Sequence, residues 1–116
     1  MPDYSEILSQ READLRVIEA MSRAGSDLTK AHDIEHHFIC YSRKLAKQLH
    51  SWGIDQGLQT TDIIAARHEG KRYYWLDFVI PTMPSIENIF ADTSRFFRLA
   101  DSMGASYDGW QCSIVR

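Results

Sequence analysis

Between Asp33 and Val115 the apolar residues repeat at the two-residue step of a strand or the three- and four-residue step of a helix. The order is strand, helix, strand, strand, helix, strand. Few folds accept it. Residues 33–41 carry no helical period and suit a strand. Ser42 then caps a short helix with Leu45, Ala46 and Leu49 inward and Gly53 at its end. TTDIIAARH (60–68) and YYWLDFVI (73–80) form a hairpin across Glu69-Gly70-Lys71-Arg72. Pro81 and Pro84 stop the second of these strands. Ser85 caps a helix in which Ile86, Ile89, Phe90, Thr93, Phe97, Ala100 and Met103 recur until Gly104. YDGWQCSIV (107–115) supplies the last strand. Ahead of this series, residues 3–24 place Tyr4, Ile7, Leu8, Leu15, Ile18 and Met21 on one helical stripe, which Gly25 ends.

This βαββαβ order predicts an α+β fold. Two crossovers give a four-stranded antiparallel sheet of order 4-1-3-2 with both helices on one face. That is a ferredoxin-like sandwich (33–115) behind an extra N-terminal helix (3–24). With 116 residues, 44% apolar, the expectation is one domain, 1–116, whose core needs no disulfide or metal staple.

Charge and cysteine content narrow the function. The formal charge is −3, and neither half of the chain is basic, so the footprint of general nucleic-acid binding is missing. Cys40 and Cys112 are too few and too far apart for a disulfide scaffold or a zinc motif; they read as reduced core thiols, neighbours on adjacent strands. The acidic, polar N-terminus does not look like a signal peptide, and no apolar run spans a bilayer. A cytoplasmic protein is the expectation.

HDIEHHF (32–38) packs three histidines and two carboxylates into seven positions. On a strand, His36 and His37 point to opposite faces, and His32 lies about 13 Å from His36. They cannot chelate one ion together. His36 shares the apolar side with Ile34, Phe38 and Cys40, matching Leu76, Phe78 and Ile80 on the third strand. On the fourth strand Trp110, Cys112 and Ile114 complete that side, so His36 reads as a core-edge histidine with a hydrogen-bonded partner. Glu35 and His37 fall on the second face with Trp75, Asp77 and Val79 and with Tyr107, Gly109 and Gln111. Glu35, His37 and Asp77 are the one set that suggests a small metal-binding or hydrolytic protein, yet no activated nucleophile or phosphate loop accompanies them. Tyr73, Trp75, Val79, Ile39 and Tyr107 make this second face more apolar than water should meet, as at an interface. Either the leading helix folds over it or another protein does. Stacking of RNA on Trp75 and Tyr73 is a third reading, against which the acidic balance counts.

Three stretches together resemble one family: Gly25-Ser26-Asp27, Ile34-Glu35-His36-His37 and Tyr107-Asp108-Gly109-Trp110. Leu76-Asp77-Phe78 matches its apolar-Asp-apolar step in the third strand. The pattern is similar to the regulator of ribonuclease activity B family, the protein inhibitors of ribonuclease E. The resemblance implies a ferredoxin-like domain that regulates by binding ribonuclease E or another ribonuclease, with no catalysis and no cofactor. It places Glu35, His37, Asp77 and Tyr107, Asp108, Gly109 and Trp110 at shared positions. Well-known members continue into a long acidic tail, whereas this sequence stops at Arg116, which widens the expected choice of partner. The leading expectation is therefore a non-enzymatic, protein-binding regulator that contacts its partner through Glu35, His37, Tyr73, Trp75, Asp77, Tyr107, Asp108 and Gly109. A second copy of the chain is the alternative occupant of the open face.

Overall fold

The computed structural model describes residues 4–116. Its elements are α1 (Tyr4–Arg23), β1 (His32–Cys40), α2 (Arg43–Asp55), β2 (Gln59–Thr60), β3 (Ile64–His68), β4 (Lys71–Thr82), α3 (Ile86–Met103) and β5 (Ser106–Gln111). The expected helix start at residue 3 lies outside the described residues. All strand pairs are antiparallel, in the order β2-β4-β1-β5, with β3 also pairing β4.

The sheet has five strands where the sequence predicts four, because the stretch expected at 60–68 is broken. Between the pairs Thr60↔Phe78 and Ile64↔Trp75, residues 61–63 face only Leu76 and Asp77. Thr61 holds the gap: its N–H donates to the Asp77 carbonyl at 3.0 Å and its Oγ1 accepts from the Asp77 N–H at 2.8 Å. The extra residue reverses the pleat parity. Ile63 packs on the core, and Ile64 emerges on the other face. The hairpin turn is also tighter than expected. His68 pairs with Lys71, so Lys71 and Arg72 belong to β4, and Glu69 and Gly70 turn the chain with positive φ.

All three helices pack on one side of the sheet. Phe38, Cys40, Leu76 and Phe78 meet Ala46 and Leu49 of α2 and Phe96 and Ala100 of α3. A smaller cluster joins Met21 of α1 to Ile34, Ile89 and Trp110. The leading helix therefore widens the helical layer and leaves the opposite face of the sheet open.

Several local expectations need correction. Tyr4 and Leu8 of α1 are exposed, and Asp14 takes the centre of its buried side. Phe96 is the fully buried phenylalanine of α3, while Phe97 is half-buried. Gly53 does not end α2. It sits inside the helix against Phe78, where a Cβ would come within 2.5 Å of the ring. Gly57 ends it instead: at φ 75° its N–H donates to the Ile54 carbonyl, and the Leu58 N–H donates to that of Gly53. The last strand stops at Gln111, and the segment beyond is tied to the loop after α1 by Asp27 N–H donating to the Val115 carbonyl at 2.6 Å. Ile114, expected in the core, is consequently exposed.

Candidate functional site: the open face of the sheet

Strand alternation sorts the side chains cleanly along β1 and the centre of β4. Ile34, His36, Phe38 and Cys40 are buried, as are Tyr74, Leu76 and Phe78. Their neighbours Glu35, His37, Ile39, Tyr73, Trp75, Asp77 and Val79 lie on the face without helices. Trp75 is 48% exposed, and Ile64, directly opposite it on β3, is 60% exposed. Beside them lies a groove of about 360 Å³ whose lining includes His37, Ile39, Thr61, Asp77 and Asp108. Tyr73 continues the apolar surface through an edge-on contact with Tyr41 at 5.7 Å, and the Tyr41 hydroxyl is 2.6 Å from Ser106 Oγ.

The acidic and basic groups here do not form the trio that the sequence suggests. His37 Nδ1 lies 2.8 Å from Asp77 Oδ1, both about a quarter exposed. Glu35 turns toward the other edge, where its Oε2 accepts from Gln111 Nε2 at 2.9 Å. Among the described residues no group of three or more His, Cys, Asp or Glu side chains is arranged to hold a metal ion. Among the described residues that line the groove, Thr61 carries the hydroxyl, and it is engaged by the Asp77 backbone. The groove therefore has an apolar centre with one polar pair inside it.

Tyr107 is the clearest correction. The sequence places it on the open face, but its ring packs in the core against Phe38 at 5.4 Å and His36 at 6.0 Å. The cause is a bulge. Between His36↔Trp110 and Phe38↔Tyr107, the two residues Asp108 and Gly109 oppose His37 alone. Gly109, at φ 91°, supplies a backbone conformation that L side chains rarely adopt. Tyr107 and Trp110 both point inward as a result, while Asp108 reaches the groove rim. His36 has the expected partner: its Nδ1 is 2.8 Å from the Tyr107 hydroxyl. Its Nε2 has no hydrogen-bond partner among the described residues, and its ring meets Phe96 edge-on at 4.8 Å. Burial, with smaller contributions from the Arg95 and His37 charges, lowers the His36 pKa to about 3. Burial first, then the Asp14 and Asp92 charges, pushes the Tyr107 hydroxyl above its usual range.

Two buried polar anchors escape a reading by apolar period. Asp14 accepts from Trp110 Nε1 at 2.9 Å, Thr93 Oγ1 at 2.6 Å and Gln10 Nε2 at 2.8 Å, tying α1 to α3 and β5. The signal available was spacing: Asp14 continues the run Ile7, Gln10, Asp14, Ile18, Met21. His32 is buried where β1 begins, between Ser26 Oγ and the Lys30 carbonyl. The cysteines are both free but do not adjoin. Cys40 lies in the larger cluster, its thiol pushed by burial to about 11, and Cys112 packs on the smaller one beside Met21.

The model of the family "Regulator of ribonuclease activity B", RraB, matches residues 11–112. The chain belongs to the RraB family. The matched range covers both the buried Asp14–Trp110 anchor and the open face. A relative named regulator of ribonuclease activity B in Proteus mirabilis is 30% identical over 111 residues, 95% of this chain and 78% of that protein. One of the same name in Pseudoalteromonas atlantica is 26% identical over 100 residues, covering 85% of this chain and 86% of that one. Another in Alteromonas mediterranea is 27% identical over 94 residues, covering 80% and 71%. Among the described residues of this RraB chain, no helix is long and apolar enough to cross a membrane.

Proposed function

We propose that this chain is a non-catalytic, cytoplasmic regulator that binds a ribonuclease through the open face of its sheet. Ribonuclease E is the first partner to test, on the family resemblance. The sheet is read as a ferredoxin-like arrangement in which β2 and β3 together fill the place of one edge strand. The observation that carries the reading is the exposed Trp75–Ile64 pair beside the groove, with no described element packed over it. An exposed aromatic next to a half-buried polar pair is the composition of an interface centre. Trp75, Tyr73, Glu35, His37, Asp77 and Asp108 are the proposed contacts. Gly109 shapes the rim, and Tyr107 acts from below by holding β5.

The test uses immobilised ribonuclease E and the doubly substituted Trp75→Asp, Ile64→Asp protein. Wild type is expected to be retained and to slow RNA cleavage. The variant, with an unchanged far-UV spectrum, is expected to bind at least about tenfold more weakly. Wild type that is not retained, or a variant that binds equally well, overturns the assignment. A dimer by size exclusion that the variant abolishes would instead place a second copy on this face.

A further inference from the structure

The helical side of the molecule carries a second surface of opposite character. Arg43, Lys44 and Lys47 of α2 are exposed and line a shallow depression with Gln48, Trp52 and Asp55. Arg67 of β3 stands directly opposite Arg72 of β4, on the pleat face shared with Tyr74. Arg43 comes to the same side: its guanidinium lies 5.6 Å from the centroid of the Tyr74 ring. None of these five cations makes an ion pair among the described residues.

That placement is costly in the free protein. Like charges directly across an antiparallel pair repel. The first turn of α2 contains no acidic residue, so Arg43 and Lys44 also oppose the helix dipole. A chain of net charge −3 thus gathers five unpaired positive charges at one end. We infer that this surface is a docking site for a short acidic peptide segment, a run of Asp and Glu side chains laid along α2 toward the β3–β4 hairpin. An acidic peptide fits better than a nucleic acid for two reasons. Of the two rings at this surface, Tyr74 is buried and Trp52 is half-buried against Phe78 and Phe96, so neither stands clear of the core as a stacking platform for a base. Charges are screened beyond about 8 Å, so a short segment feels the local cations, whereas a long polyanion extends past them over the rest of a chain whose net charge is −3. The site does not depend on the open-face reading, because Trp75 and Ile64 lie on the other side of the sheet.

The probe is a fluorescent oligoglutamate of about eight residues, enough to span the roughly 20 Å of α2 when extended. Anisotropy is expected to show binding at low salt that weakens about tenfold or more when salt is raised to several hundred millimolar. Lys47→Glu with Arg67→Glu should weaken it at least about tenfold, and the control Arg16→Glu with Arg23→Glu on α1 less than about twofold. Unchanged circular dichroism and melting confirm that each variant is folded. No binding at low salt, or equal loss in the control, overturns the inference. Tighter binding of a charge-matched single-stranded oligonucleotide would reassign the surface to nucleic acid.

Discussion

Below about pH 6.5 an unfolded histidine starts to take up a proton, whereas His36 in the folded chain resists until about pH 3. Between those values the unfolded chain binds the extra proton, so stability falls as pH falls. The contribution of neutral His36 is intact above about pH 6.5 and gone near pH 3, a loss on the order of a few kcal/mol. Urea denaturation at several pH values should show a shallower slope for His36→Leu than for wild type over this range; equal slopes would refute the assignment. At Trp110 two contributions separate. Trp110→Ala should cost about 3–5 kcal/mol for the lost core ring. Trp110→Phe should cost less, about 1–3 kcal/mol, for leaving Asp14 without one of its donors. Matching melting temperatures for Trp110→Phe and wild type would mean that the hydrogen bond contributes nothing. The ring was legible from the strand pattern. Its partner was not, because an aspartate within a helix reads as solvent-facing until the tertiary fold supplies its donors.

Glycines set the geometry of two elements. Gly53 lets α2 approach the sheet, so a methyl group there meets the side of a ring that is itself fixed in the core. Gly53→Ala should destabilise by about 1–3 kcal/mol, although alanine is the better helix former. A rise in melting temperature would show that propensity outweighs packing. Gly109 is different: a Cβ there meets nothing, and the cost is backbone strain alone. Gly109→Ala should therefore destabilise by about 1 kcal/mol or somewhat more, and a neutral result would show that the bulge tolerates side chains. A glycine inside a strand pattern is a recognised sign of a bulge. Its consequence, two inward aromatics three residues apart, appears only when β5 is paired against β1.

At the scale of the molecule, two surfaces face away from each other across the sheet: an aromatic groove and a basic end on the helical side. Because they share no contact, substitutions on them should act independently. Trp75→Asp is expected to leave oligoglutamate binding within about twofold, and Lys47→Glu to leave open-face binding similarly unaffected. Coupling larger than that would indicate that one face controls the other.

The amino-acid order by itself determined the helices, most of the strands and the two faces of β1, since periodicity and capping are local and survive any packing. It also carried the family, through short stretches that keep their spacing. Tertiary structure decided what depends on residues distant in the chain: the side of the sheet that α1 covers, the parity reversals near Thr61 and Gly109, and the donors around Asp14. It also assembled the basic end from Arg43, Lys44, Lys47, Arg67 and Arg72. Those cations are scattered along a chain of balanced charge, and only the hairpin's return beside α2 gathers them.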